Sequence, residues 1–171
     1  MNDNDFALFG LPVAFTLDVA VLTTRYRELQ RAVHPDRFVQ AGEAERLLAV
    51  RQAARINDAY QHLKTPLARA QYLLTLHGHG LVVENSTLKD PEFLLEQMEL
   101  REALSEADSA ALTELQSQID ARVLALVKAL ELGFTVAQPD WPQLQVTVLK
   151  LQFMHKLRNE AELRAERLLG M

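Results

Sequence analysis

An all-α fold in two helical parts is predicted by three features of the 171-residue sequence. Apolar residues recur at three- and four-residue steps along most of the chain, no alternating run bounded by turns marks a strand, and the six prolines mostly mark helix ends. A composition that is 49% hydrophobic and 24% charged supports a buried core and excludes a disordered chain.

Phe6 to Pro12 offers apolar side chains closed by Gly10 and Pro12, which suits a short helix or turn packed on the base of a helical hairpin. From Asp18, Leu22, Tyr26, Leu29 and Val33 fall on one face of a 3.6-residue repeat and predict a buried seam, with Thr16 as candidate N-cap. Pro35 biases His34 out of the helical region and ends that helix. A second helix begins near Glu43, carries Ala49, Ala53, Ile56, Ala59, Tyr60 and Leu63, and stops at Thr65-Pro66. The two stripes predict that the hairpin is antiparallel. Leu67, Ala70, Leu73, Leu74 and Leu76 mark another helix, with Gly78 as C-cap.

Residues 78–89 read as a linker between a domain at 1–77 and one at 90–171. Asp90-Pro91 starts a helix to about Leu104, with Asp as N-cap and Pro at the first helical position. Leu112, Leu115, Ile119, Val123, Leu126 and Leu130 form a long ladder that should end near Gly133. After the breakers Pro139 and Pro142, a last helix carries Leu144, Val148, Leu151, Met154, Leu157, Ala161 and Leu168. Three such stripes predict an antiparallel three-helix bundle.

Several function classes drop out. Without cysteine there is no disulfide, thiolate metal site or cysteine nucleophile. No Ser-His-Asp motif, glycine-rich phosphate loop or HExxH occurs, so no catalytic residue and no cofactor is expected. His77 and His79 lack a third metal ligand at motif spacing. The acidic N-terminus is no secretory signal, and the most apolar stretch, Val123 to Leu132, is broken by Lys128 and Glu131. A cytoplasmic protein with no membrane contact is expected. Residues 1–77 carry 9 Lys/Arg against 8 Asp/Glu and residues 78–171 carry 9 against 15, so the halves differ, +1 and −6. That asymmetry suggests two partner surfaces, and the acidic total argues against nucleic acid.

The tip of the hairpin, His34-Pro35-Asp36-Arg37, sets an imidazole, a rigid ring and a carboxylate on one turn beside a basic face of Arg25, Arg27 and Arg31. This arrangement, with Asn57-Asp58-Ala59-Tyr60 downstream, resembles the J-domain co-chaperones. Leu8-Phe9-Gly10-Leu11-Pro12, Arg69 to Leu74, Phe93 to Gln97 and Phe153 to Arg158 narrow the resemblance to the HscB family of iron–sulfur co-chaperones. Arg37 departs from that family, where lysine is usual, and keeps the charge with a planar head group.

The resemblance implies a non-enzyme that stimulates the ATPase of a dedicated DnaK-class, HscA-type chaperone and delivers an IscU-type iron–sulfur scaffold to it. It assigns chaperone binding to His34, Pro35, Asp36, Arg37, Arg25, Arg27 and Arg31. Scaffold binding maps onto Leu94, Leu95, Met98, Glu99, Glu102, Glu106 and Phe153. The residues themselves agree that the helix from Pro91 has a doubled pattern. Phe93, Leu100 and Leu104 share one face for the bundle core, while Leu94, Leu95 and Met98 fall opposite, beside Glu99 and Glu102. The second face is expected to be exposed for a partner, the alternative being burial of both faces. A general J-protein with another client and a helical adaptor with no chaperone role are the other readings.

Overall fold

The computed structural model describes residues 4–81, 89–168 and 170. Among them run helices α1 (Asp5–Leu8), α2 (Val19–Ala32), α3 (Glu43–Leu63), α4 (Pro66–Leu76), α5 (Pro91–Glu106), α6 (Ser109–Thr135) and α7 (Trp141–Leu168). A 3-10 turn, Pro35–Phe38, sits between α2 and α3, and no strand occurs among the described residues. The chain divides into two compact units, Met1–Gly80 and Leu81–Met171. Most of the expected linker, residues 82–88, lies outside the described residues.

In the first unit α2 and α3 pair antiparallel. Tyr26 stacks on Tyr60 at 4.1 Å and Gln30 Nε2 donates to the Ala53 carbonyl at 3.1 Å, so partners descend along α3 as they ascend along α2. The N-cap of α2 is Asp18, not Thr16: its Oδ1 accepts the Ala20 and Val21 N–H groups. The helix starts at Val19, which puts the cap directly before it, and aspartate caps at least as well as threonine. Of the expected seam, Leu22 alone is fully buried; Tyr26, Leu29 and Val33 are half-buried, because α3 covers α2 from one side. The short α1 closes the base. Asn4 caps it, and Phe6 and Phe9 are buried.

Two charged side chains tie this unit together. The Asp5 carboxylate, 6% exposed, meets Arg55 Nη1 at 2.7 Å and His62 Nδ1 at 2.6 Å. Arg69, buried beneath Phe15, donates to the Leu63 and Phe15 carbonyls. α4 ends in a Schellman motif: Gly78 takes φ +79°, its N–H bonds the Thr75 carbonyl, and the His79 N–H bonds the Leu74 carbonyl. The cap residue proper is His77, with Gly78 just beyond.

The second unit is three helices. Asp90 Oδ1 caps α5 through the Phe93 N–H at 3.0 Å, with Pro91 at the first helical position. All six ladder residues of α6 are buried, as are Leu144, Val148, Leu151, Met154, Leu157 and Ala161 on α7; Leu168 is exposed. Each such side chain contributes about 1.5–3 kcal/mol gross, so these two facing stripes dominate the core. Two boundaries move. α6 passes through Gly133 to Thr135, since a Cβ at 133 would lie 2.7 Å from Leu144 Cδ2 and glycine there serves helix packing. Pro142 is the second residue of α7, where its missing N–H leaves no bond unmade.

Candidate functional site

At the hairpin tip the chain leaves α2 at Val33, and His34 is extended (φ −60°, ψ 133°), as a residue before proline must be. Pro35 then begins the 3-10 turn, which packs on α3 and is closed by the Arg37 N–H to the His34 carbonyl at 3.0 Å. His34 Nδ1 accepts the Asp36 backbone N–H at 3.3 Å. The ring therefore steadies the turn while the Asp36 side chain stays 86% exposed, its Oδ2 3.5 Å from Nδ1. A carboxylate held on a fixed backbone in open solvent has lost chain entropy but kept its hydrogen-bonding capacity for a partner.

Beside the turn, Tyr26, Arg27, Gln30, Arg31 and His34 line a groove of about 410 Å³. Arg27, Arg31 and Arg37 are exposed. Arg25 differs: its Nη1 donates to the Phe9 and Gly10 carbonyls at 2.6 and 2.7 Å, so its head group is half-buried in the α1–α2 connection. The tip thus brings His34, Pro35, Asp36, Arg27 and Arg31 together around one groove and turn, whereas Arg25 is tied to the α1–α2 connection and lines no part of that groove.

On α5 the two faces separate as expected. Phe93 and Leu104 are buried and Leu100 is half-buried, whereas Leu94, Leu95 and Met98 are 40%, 57% and 69% exposed. Arg101 pairs with Glu160 of α7, and Glu96 with Arg122 of α6, which fixes the rotation of the helix. At about 100° per residue, Leu94 and Met98 then lie on the Arg101 flank toward α7, and Leu95 points outward with the exposed Glu99, Glu102 and Glu106. Phe153 on α7 is half-buried, its ring tilted against Phe93 at 6.4 Å. An apolar patch rimmed on one side by three carboxylates is suited to a partner with apolar anchors and basic side chains.

Other groupings were not legible in sequence. Asp5 with Arg55, His62 and Tyr72 joins residues up to 67 positions apart, and no local pattern predicts such a contact. Lys150 pairs with Asp90 Oδ2 at 2.5 Å and lies 5.3 Å from the Phe93 ring centroid. A lysine inside the apolar run Val148-Leu149-Lys150-Leu151 was the available signal. The Lys150 ammonium, and next the Phe93 N–H, hold the Asp90 carboxyl below its ordinary pKa. Burial, and then the Arg158 charge, push the His155 imidazole below its ordinary value. Among the described residues no group of three His, Asp or Glu side chains is arranged to hold a metal, and no helix is long and apolar enough to cross a membrane.

The family described as the HSCB C-terminal oligomerisation domain matches residues 89–162. A co-chaperone protein HscB homolog of Vibrio vulnificus (strain YJ016) is 48% identical over 98% of this chain and 99% of its own. Among solved structures, chaperone HscB from Vibrio cholerae superposes with a TM-score of 0.87 at 44% identity, covering 96% of this chain and 99% of that one. Human co-chaperone protein HscB gives 0.88 at 32% identity, covering 95% and 82%. With this identity sustained over nearly its whole length, the chain belongs to the HscB co-chaperone family.

Proposed function

We propose that the protein stimulates ATP hydrolysis by a DnaK-class, HscA-type chaperone and brings it an IscU-type iron–sulfur scaffold, assisting cluster transfer in the cytoplasm. It performs no ATP chemistry itself in this reading; the hydrolysis belongs to the chaperone. The observation that carries the proposal is the His34-Pro35-Asp36 turn, held by backbone and imidazole bonds while its carboxylate stays exposed. Asp36 accepts a charge-assisted bond from an arginine of the chaperone, Pro35 fixes the turn, His34 completes the contact and Arg37 adds charge. Arg27 and Arg31 steer the approach, and Arg25 adds positive charge from its fixed position.

Leu94, Leu95, Met98 and Phe153 anchor the scaffold, with Glu99, Glu102 and Glu106 meeting its basic groups. Four apolar anchors, each already partly covered and so worth less than the roughly 1.5–3 kcal/mol of full burial, against an association cost of at least about 4, favour a transient complex of the kind that delivery requires. The test is an ATPase assay with and without scaffold. Asp36→Asn should abolish stimulation and leave scaffold binding intact; the Leu94, Leu95 and Phe153 alanine variant should do the reverse. Wild-type behaviour of either variant contradicts its half of the assignment.

A further inference from the structure

α5 carries the scaffold patch and has the fewest buried residues of the three helices in its unit. Its buried residues are Phe93, Gln97 and Leu104, against six on α6 and eight on α7. Its first turn, the one bearing Leu94 and Leu95, is fastened by a charged network gathered around a single buried ring, Phe93. Asp90 uses one oxygen to cap the Phe93 N–H and the other to hold Lys150. The Lys150 ammonium also lies over the buried Phe93 ring, at 5.3 Å from its centroid, and the Arg122 guanidinium approaches the ring at 6.0 Å while Nη2 bonds Glu96 at 2.9 Å. Phe153, the patch residue on α7, contacts the same ring.

This arrangement is specific to the start of α5. A lysine only 18% exposed within an apolar stretch is costly to desolvate, and the Asp90 carboxylate and the ring face offset that cost. The same aspartate sets where α5 begins and which way it is turned. Leu94 and Met98 lie on the Arg101 side of α5, which faces α7, so a rotation of α5 would turn them relative to α7, the helix that carries Phe153. We propose that Lys150 and Asp90, supported by Arg122 and Glu96, are positioning residues: they clamp the first turn of α5 so that Leu94, Leu95, Met98 and Phe153 present one surface to the scaffold. The inference rests on the scaffold-binding reading above.

The test measures affinity for the IscU-type scaffold by titration calorimetry, and amide exchange, in Lys150→Met, Lys150→Arg and Asp90→Asn. Asparagine still caps a helix, so Asp90→Asn removes the clamp's charge while α5 keeps its start. Lys150→Met and Asp90→Asn should bind the scaffold roughly tenfold more weakly. Amides of residues 92–98 should exchange faster while those of α6 and α7 keep their protection. Lys150→Arg, which retains the cation, should restore most of the affinity. Unchanged affinity in both Lys150→Met and Asp90→Asn overturns the proposal, as does a loss that follows only general unfolding of α6 and α7. The Leu94, Leu95 and Phe153 alanine variant runs in parallel. If it loses the scaffold while the clamp variants bind normally, the clamp alone is wrong; if it binds normally, the scaffold surface is wrong and the clamp falls with it.

Discussion

Arg25 and Gly10 are joined by a hydrogen bond of 2.7 Å from the guanidinium Nη1 to the glycine carbonyl, at a turn where Gly10 takes φ +61°. The same nitrogen bonds the Phe9 carbonyl, so the arginine locks the connection from α1 into α2. Arg25→Ala is expected to destabilise the protein by about 1.5–3 kcal/mol, the range for hydrogen bonds to a charged group. Arg27→Ala and Arg31→Ala, at exposed positions, should stay within about 0.5 kcal/mol. Urea melts of the three variants check this, and an Arg25→Ala midpoint equal to the wild type would show that the bond contributes nothing.

Arg27 and Arg31 should act on association instead. Charge reversal at both should lower the rate of chaperone binding and weaken its dependence on salt, because exposed charges steer encounter and are screened. Stopped-flow binding at two ionic strengths reads both quantities. Identical rates and identical salt slopes would make these arginines an ordinary solvated face.

The patch should separate by burial. Leu94→Ala and Leu95→Ala remove exposed side chains and should leave stability nearly unchanged, whereas Phe153→Ala also removes a ring contact with Phe93 worth about 0.5–1.5 kcal/mol beyond its area. Thermal melts of the single variants would show the difference; equal losses at all three positions would contradict the exposed face of α5.

His155 sets a pH dependence. Its folded pKa is lowered, first by burial and then by the Arg158 charge, so the unfolded chain binds the proton more readily. The stability it contributes is full above the ordinary histidine value of about 6.5 and is lost as pH falls through the folded value. His155→Gln should therefore flatten the decline in urea midpoint between about pH 7 and pH 5. A decline as steep as in the wild type would assign it to other groups.

What could be read in the sequence was what periodicity and caps control. The α6 ladder and the Asp90-Pro91 start are local patterns, and each appears where its spacing puts it. Thr16 and Asp18 are both good caps, and only the position of the first helical turn selects the aspartate. Gly133 reads as a stop, yet it lies within a helix because Leu144 of α7 needs the space. For the candidate sites, the tripeptide and the doubled face of α5 were visible. The bonds of Arg25 to Phe9 and Gly10 were not, nor was the hold of Lys150 on Asp90, since both join segments that no repeat relates.

The most direct measurement is single-turnover ATP hydrolysis by the HscA-type chaperone with scaffold present, comparing the wild-type protein with Asp36→Asn. The account predicts stimulation by the wild type and a basal rate with Asp36→Asn, while Asp36→Asn keeps its melting temperature and its affinity for the scaffold. Equal stimulation by both proteins would contradict it.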